Sequence, residues 1–215
     1  QIIHDVCLQN LPVRFCMDRS GLVGADGPTH HGVFDMAYLR CIPRVTVMAP
    51  SDECEFVKML NTMHQYDQGP SAIRYPRGSG PGLDYKGISE TVEIGKSRLI
   101  QQGSDLLIIS IGRMLDEAKQ VAQKIKEDLN LSVTIIDARF VKPIDIQMLD
   151  FQLPINKFRL VTMEDGCVQG GFGSAIAEEI NLLKLDYPAK QLTLGIPDEF
   201  VTHGTVSNLC KELKL

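Results

Sequence analysis

The chain has 215 residues, 44% hydrophobic and 23% charged, which is ordinary globular composition with enough length for one large domain or two small ones. Its formal net charge of −5 argues against nucleic acid as a partner, because neutralising phosphates requires a basic face. No apolar run approaches the roughly 20 residues of a membrane span, so no membrane partner is expected.

Residues 1–8 carry apolar side chains at Ile2, Ile3, Val6 and Cys7, which is helical spacing without an N-cap. The chain is therefore expected to begin inside a helix, as a fragment of a longer polypeptide. Residues 12–17 read as a central strand, 33–41 as a helix and 45–48 as a second strand. A helix follows from Ser51, its expected N-cap, with Asp52 and Glu53 in the first turn and a buried stripe of Phe56, Val57, Leu60 and Met63. Residues 71–75 read as a third strand.

Residues 78–92 are rich in glycine and polar side chains and read as an interdomain linker. Beyond it the alternation resumes. Strands are expected at 96–100, 106–111, 132–137, 159–163 and 192–196, and helices at 115–129, 146–151, 173–183 and 206–213. This pattern predicts an α/β protein with two doubly wound, mostly parallel sheets, divided into residues 1–78, a linker at 79–92, and residues 93–215. The turn Gly170-Gly171-Phe172-Gly173-Ser174 is expected to pack a helix closely on a strand rather than to bind a dinucleotide, and Glu164 and Asp165 read as a solvated charge pair. The six cysteines form no Cys-x-x-Cys pair and are expected as buried free thiols.

Residues 18–32 fit no regular element, because four glycines and a proline interrupt them. They nevertheless carry Arg19, Asp26, Thr29, His30 and His31 at the carboxyl end of a predicted strand, where open α/β sheets bind ligands. Arg77 follows another strand of the same sheet. Guanidinium groups so placed suit a phosphate, which they grip with paired hydrogen bonds and a permanent charge. His30 suits proton transfer near neutral pH, with Asp26 of the same loop to orient it or to bind a substrate hydroxyl. His4 and His64 read as surface or packing residues, and His203 as a cap or interface residue near the last helix.

The wording Gly24-Ala25-Asp26-Gly27-Pro28-Thr29-His30, followed by Leu39-Arg40-Cys41-Ile42-Pro43, Tyr75-Pro76-Arg77-Gly78 and Arg139-Phe140-Val141-Lys142-Pro143, resembles the 1-deoxy-D-xylulose-5-phosphate synthase family. That family belongs to the transketolase-like thiamine diphosphate enzymes. The resemblance covers essentially the whole chain but only the last third or so of the family's length. It implies that residues 1–78 are the latter part of a pyrimidine-binding domain and residues 93–215 a transketolase C-terminal domain. It also implies condensation of pyruvate with glyceraldehyde 3-phosphate to 1-deoxy-D-xylulose 5-phosphate and carbon dioxide.

Under this resemblance His30 and Asp26 are the catalytic candidates, and Arg19 and Arg77 bind the acceptor. The ligands of thiamine diphosphate and Mg²⁺ are expected upstream of Gln1, in the missing N-terminal part of the same polypeptide, and the complete enzyme is expected as a homodimer. A cytoplasmic location is implied, or a plastid in a plastid-bearing organism. The chain alone is expected to be inactive, with residues 93–215 folding independently and residues 1–78 ordered only beside the upstream segment. Two other readings share the pattern: a transketolase or 2-oxoacid dehydrogenase β-subunit-like protein, and a non-catalytic dimerisation module.

Overall fold

A computed structural model describes residues 1–215. After a short helical segment at Ile2–Cys7, the first half runs β1 (Arg14–Met17), α1 (Asp35–Arg40), β2 (Thr46–Met48), α2 (Glu53–Gln65) and β3 (Ser71–Arg74). The second half runs β4 (Arg98–Gln101), β5 (Leu106–Ser110), α3 (Met114–Leu129), β6 (Val133–Asp137), β7 (Phe140–Lys142), α4 (Ile146–Ile155), β8 (Arg159–Cys167), α5 (Phe172–Leu182), β9 (Lys190–Ile196) and α6 (Val206–Leu213). Two sheets result, ordered β1-β3-β2-β7 and β4-β6-β5-β8-β9. Each is parallel except for one antiparallel edge strand, β7 in the first and β4 in the second. This is the α/β class that the alternation of elements predicts. No helix is long and apolar enough to cross a membrane.

Several local expectations are corrected. Within this chain the strand expected to be central, β1, pairs with β3 alone, with Arg14 and Cys16 exposed and Phe15 and Met17 half-buried. The alternation means that one face of β1 is covered more than the other. Asp52 rather than Ser51 caps α2, accepting from the Glu55 N–H at 2.8 Å. The Ser51 hydroxyl instead donates to Asp137 at 2.9 Å. The buried face of α2 is carried by Met59 and Met63, with Phe56 and Leu60 packed against them, so Met59 takes the place expected for Val57. Of the six free thiols only Cys7 and Cys167 are buried, whereas Cys16 and Cys41 are exposed.

The two halves share one core. The largest cluster of 19 buried apolar residues joins Met36, Leu39, Val47 and Ala72 from the first half to Ile109, Ile136, Leu149 and Phe172 from the second. The six-residue α1 is too short to be stable by itself in water, so its Met36 and Leu39, both fully buried, hold it through packing. Strand β7 belongs by sequence to the second half but pairs with β2, which closes the far edge of the first sheet. Beside it the Arg139 guanidinium forks onto buried Glu55 at 2.7 and 3.1 Å, and Arg98 reaches buried Asp137 at 3.0 Å. The 78–92 segment has no regular structure, yet it lies along α2. The Asn61 side-chain amide donates to the Ile88 and Glu90 carbonyls, and Val92 is buried beside Met59.

Candidate active site

The loop between β1 and α1 is pinned by its own backbone. Gly21 and Gly32 exchange N–H to C=O bonds of 2.8 and 2.9 Å, which closes residues 21–32 into a ring. A side chain at Gly32 would place its Cβ 2.2 Å from the Arg19 carbonyl oxygen, so only glycine permits this closure. Leu22 and Val33 anchor the ring in an apolar cluster with Ile196, Val201 and Leu209 of the second half. The His31 Nδ1 accepts from the Val23 N–H at 3.1 Å, which leaves Nε2 to donate to the Thr202 carbonyl at 3.2 Å. His31 therefore fastens the loop to the segment that precedes α6. His203 is exposed and packs beside Gly27, while the cap of α6 is Thr205, which accepts from the Asn208 N–H at 3.2 Å.

The structure brings the loop against the turn that follows β3. The Ser20 N–H donates to the Tyr75 carbonyl at 3.0 Å, and the Asp26 carboxylate pairs with the Arg77 guanidinium. Arg19 has a left-handed backbone, with φ of 62°, and pairs with the neighbouring Asp18. His30 is exposed, and its Nδ1 lies 3.0 Å from the Thr29 hydroxyl oxygen. Asp26 and Arg77 are thus in contact, whereas the partner of His30 is Thr29. Arg77 also borders a cleft of about 550 Å³ between the halves, lined among others by Leu22, Phe56, Tyr75, Arg113 and Val206. Arg19, Asp26 and His30 lie outside its lining.

Beneath this surface is a buried charged cluster that sequence reasoning did not find. Arg74, the last residue of β3, donates from Nε to Asp35 at 2.7 Å and from Nη1 to Asp165 at 2.6 Å. Burial alone would lower the Arg74 pKa, but the two carboxylates outweigh it and raise the pKa above the usual arginine value. Next to Asp165, Glu164 accepts from the Phe172 and Gly173 N–H groups at 2.8 Å each. Burial pushes the Glu164 carboxyl up to about 7 against the opposing effect of these two donors. The expected solvated pair is therefore corrected: Glu164 and Asp165 are 0% and 3% exposed. The one available signal was position, since Arg74, Glu164 and Asp165 all stand at or near the carboxyl ends of apolar strands.

The glycine turn at 170–174 packs as expected. A Cβ at Gly171 would meet the Cys167 carbonyl oxygen at 2.1 Å, and one at Gly173 would meet the Thr193 Cγ2 at 2.4 Å. With Glu164 occupying its N-terminal donors, the start of α5 offers no cradle for a diphosphate. No group of three or more His, Cys, Asp or Glu residues is arranged to hold a metal ion. The start of α5 thus does not fit a diphosphate.

Residues 1–82 match the family described as the transketolase pyrimidine binding domain, and residues 95–215 match the transketolase C-terminal domain. The chain belongs to the transketolase family. Within that family, similar curated relatives are named 1-deoxy-D-xylulose-5-phosphate synthase. One from Synechococcus sp. (strain JA-2-3B'a(2-13)) is 49% identical over 218 residues, covering 100% of this chain and 33% of the relative. One from Rippkaea orientalis is 48% identical, covering 95% of this chain and 32% of the relative. The chain spans about a third of the length of these relatives.

Among solved structures, one titled as a split gene transketolase, inactive beta4 tetramer, superposes with a TM-score of 0.86 at 26% identity, covering 99% of this chain and 65% of that one. A transketolase mutant from Pichia stipitis superposes with a TM-score of 0.70 at 16% identity, covering 96% of this chain and 29% of that one, a likeness of fold.

Proposed function

We propose that this chain supplies the acceptor-binding side of a 1-deoxy-D-xylulose-5-phosphate synthase, which joins pyruvate to glyceraldehyde 3-phosphate with loss of carbon dioxide. The observation that carries this reading is the juxtaposition of loop and turn. The Ser20 to Tyr75 hydrogen bond and the Asp26 to Arg77 pair set the segment bearing Arg19, Asp26 and His30 beside the one bearing Arg77. Residues 1–78 act as the latter part of the pyrimidine-binding domain, 79–92 as the linker and 93–215 as the C-terminal domain. The carbanion chemistry belongs to thiamine diphosphate, held with Mg²⁺ by polypeptide outside this chain, in a complete enzyme that forms a homodimer.

In this reading Arg19 and Arg77 receive the acceptor phosphate. The Asp26 to Arg77 pair is exposed, and such pairs contribute about 0–1 kcal/mol, whereas a charge-assisted phosphate contact contributes roughly 1.5–3 kcal/mol. Phosphate therefore displaces the carboxylate from Arg77, and Asp26 turns to an acceptor hydroxyl. His30 protonates the aldehyde oxygen as the new carbon–carbon bond forms. In the complete synthase, His30→Ala is expected to lower kcat by about 10²–10⁴ with cofactor binding intact. Loss of cofactor affinity at unchanged kcat would contradict the role.

A second reading, an inactive self-associating module, is favoured by the description of the similar split-gene structure as an inactive tetramer. The two readings agree that the chain by itself lacks synthase activity.

A further inference from the structure

The acceptor reading names residues of the first sheet only, yet the loop and turn that carry them rest on the second. Arg74 lies three residues before Arg77 and is held between Asp35 of α1 and Asp165 of β8 at 2.7 and 2.6 Å. Asp165 also touches the loop directly: its Oδ2 lies 2.6 Å from the position a Cβ at Gly21 would occupy. Gly21 stands two residues after Arg19 and has φ of 70°. One carboxylate of the second sheet thus contacts both segments, through Arg74 toward Arg77 and through Gly21 toward Arg19.

The surroundings fix that carboxylate in place. Asp165 is 3% exposed, and the adjoining Gly166 packs so tightly on α1 that a Cβ there would come 2.4 Å from the Met36 Cε. The Cys167 N–H donates to the Val33 carbonyl at 2.7 Å, which joins the end of β8 to the close of the loop. Asp165 Oδ2 and Arg74 Nη2 are both buried without a hydrogen-bond partner, an arrangement that costs stability. On the rim, the Arg113 Nε approaches Asp165 Oδ2 at 3.8 Å. Arg113 is itself shared with Glu117 at 3.3 Å, so Arg74 is the closest cation to Asp165.

We infer that Asp165 is a positioning residue for acceptor binding, which sets the spacing of Arg19 and Arg77 through Gly21 and Arg74. This rests on the acceptor reading above. Two guanidinium groups grip one phosphate only at a fixed separation, so loosening their common support weakens binding even though neither arginine is altered.

The test uses the complete synthase labelled with ¹⁵N, titrated with inorganic phosphate and with glyceraldehyde 3-phosphate and followed through the loop amides. Arg77→Ala is expected to weaken binding at least tenfold, and Asp165→Asn about tenfold. The double variant is expected to bind more tightly than the product of the two single effects predicts, because part of the Asp165 effect passes through Arg77. Exchange of the Ser20 amide is expected to accelerate more than tenfold in Asp165→Asn, with β5 amides unchanged. Should Asp165→Asn fail to fold, Arg74→Lys takes its place, since an ammonium keeps the charge but cannot fork between two carboxylates. Unchanged binding in Arg77→Ala overturns the acceptor reading and this inference with it. Weakened binding in Arg77→Ala together with unchanged binding in Asp165→Asn, or equal acceleration of exchange in both sheets, overturns the inference alone.

Discussion

Replacing Glu164 by glutamine isolates one buried carboxyl and gives a pH dependence with a defined sign. Burial raises the folded-state pKa of Glu164 to about 7 from an ordinary 4.5. The folded protein therefore binds this proton more tightly than the unfolded chain does. The associated stability is fully present below pH 4.5 and is lost as pH rises through 7. The difference of about 2.5 pKa units corresponds to roughly 3 kcal/mol. Glutamine carries no titrating proton, but its amide can accept from only one of the Phe172 and Gly173 N–H groups, which costs about 1 kcal/mol at all pH values. Glu164→Gln is thus expected to be about as stable as the parent at pH 5 and more stable by about 2 kcal/mol at pH 8. Urea denaturation of both proteins at intervals from pH 5 to 8 reads this divergence. Stability curves that stay parallel across the range would refute the account of Glu164.

Three further outcomes follow from local geometry. Asp52→Ala removes the α2 cap and is expected to lower stability by about 1 kcal/mol in denaturant titration, whereas Ser51→Ala leaves that cap in place. Gly32→Ala sets a Cβ 2.2 Å from the Arg19 carbonyl oxygen and is expected to cost about 3 kcal/mol, with faster amide exchange across residues 19–32. Phe172→Ala is expected to cost about 3–5 kcal/mol, and probes in either sheet should report one common thermal transition, because the 19-residue core is shared. Two separated transitions would count against that shared core.

Much of the element order was legible because strands and helices differ in period, and the glycine-interrupted loop was legible as a site because so many polar groups crowd a segment that cannot be regular. The half-covered state of β1 was written in the alternation of Arg14 and Cys16 with Phe15 and Met17. Strand β7 has three residues and pairs with β2 across the sequence, so periodicity could not reveal it. The Asp35, Arg74 and Asp165 cluster was illegible for a related reason. A buried charge is recognised by its partners, and those of Arg74 lie 39 and 91 residues away. The shared core bears on the expected autonomy of residues 93–215, because Ile109 and Phe172 stand in one cluster with Met36 and Leu39.

The central claim is that Arg19 and Arg77 hold the phosphate of the acceptor. The most direct measurement is the KM for each substrate in the complete synthase carrying Arg19→Ala or Arg77→Ala. Loss of a charge-assisted contact of roughly 1.5–3 kcal/mol predicts a rise of about ten- to a hundredfold in KM for glyceraldehyde 3-phosphate, with KM for pyruvate unchanged. An equal rise for both substrates, or none for the phosphorylated one, would contradict it.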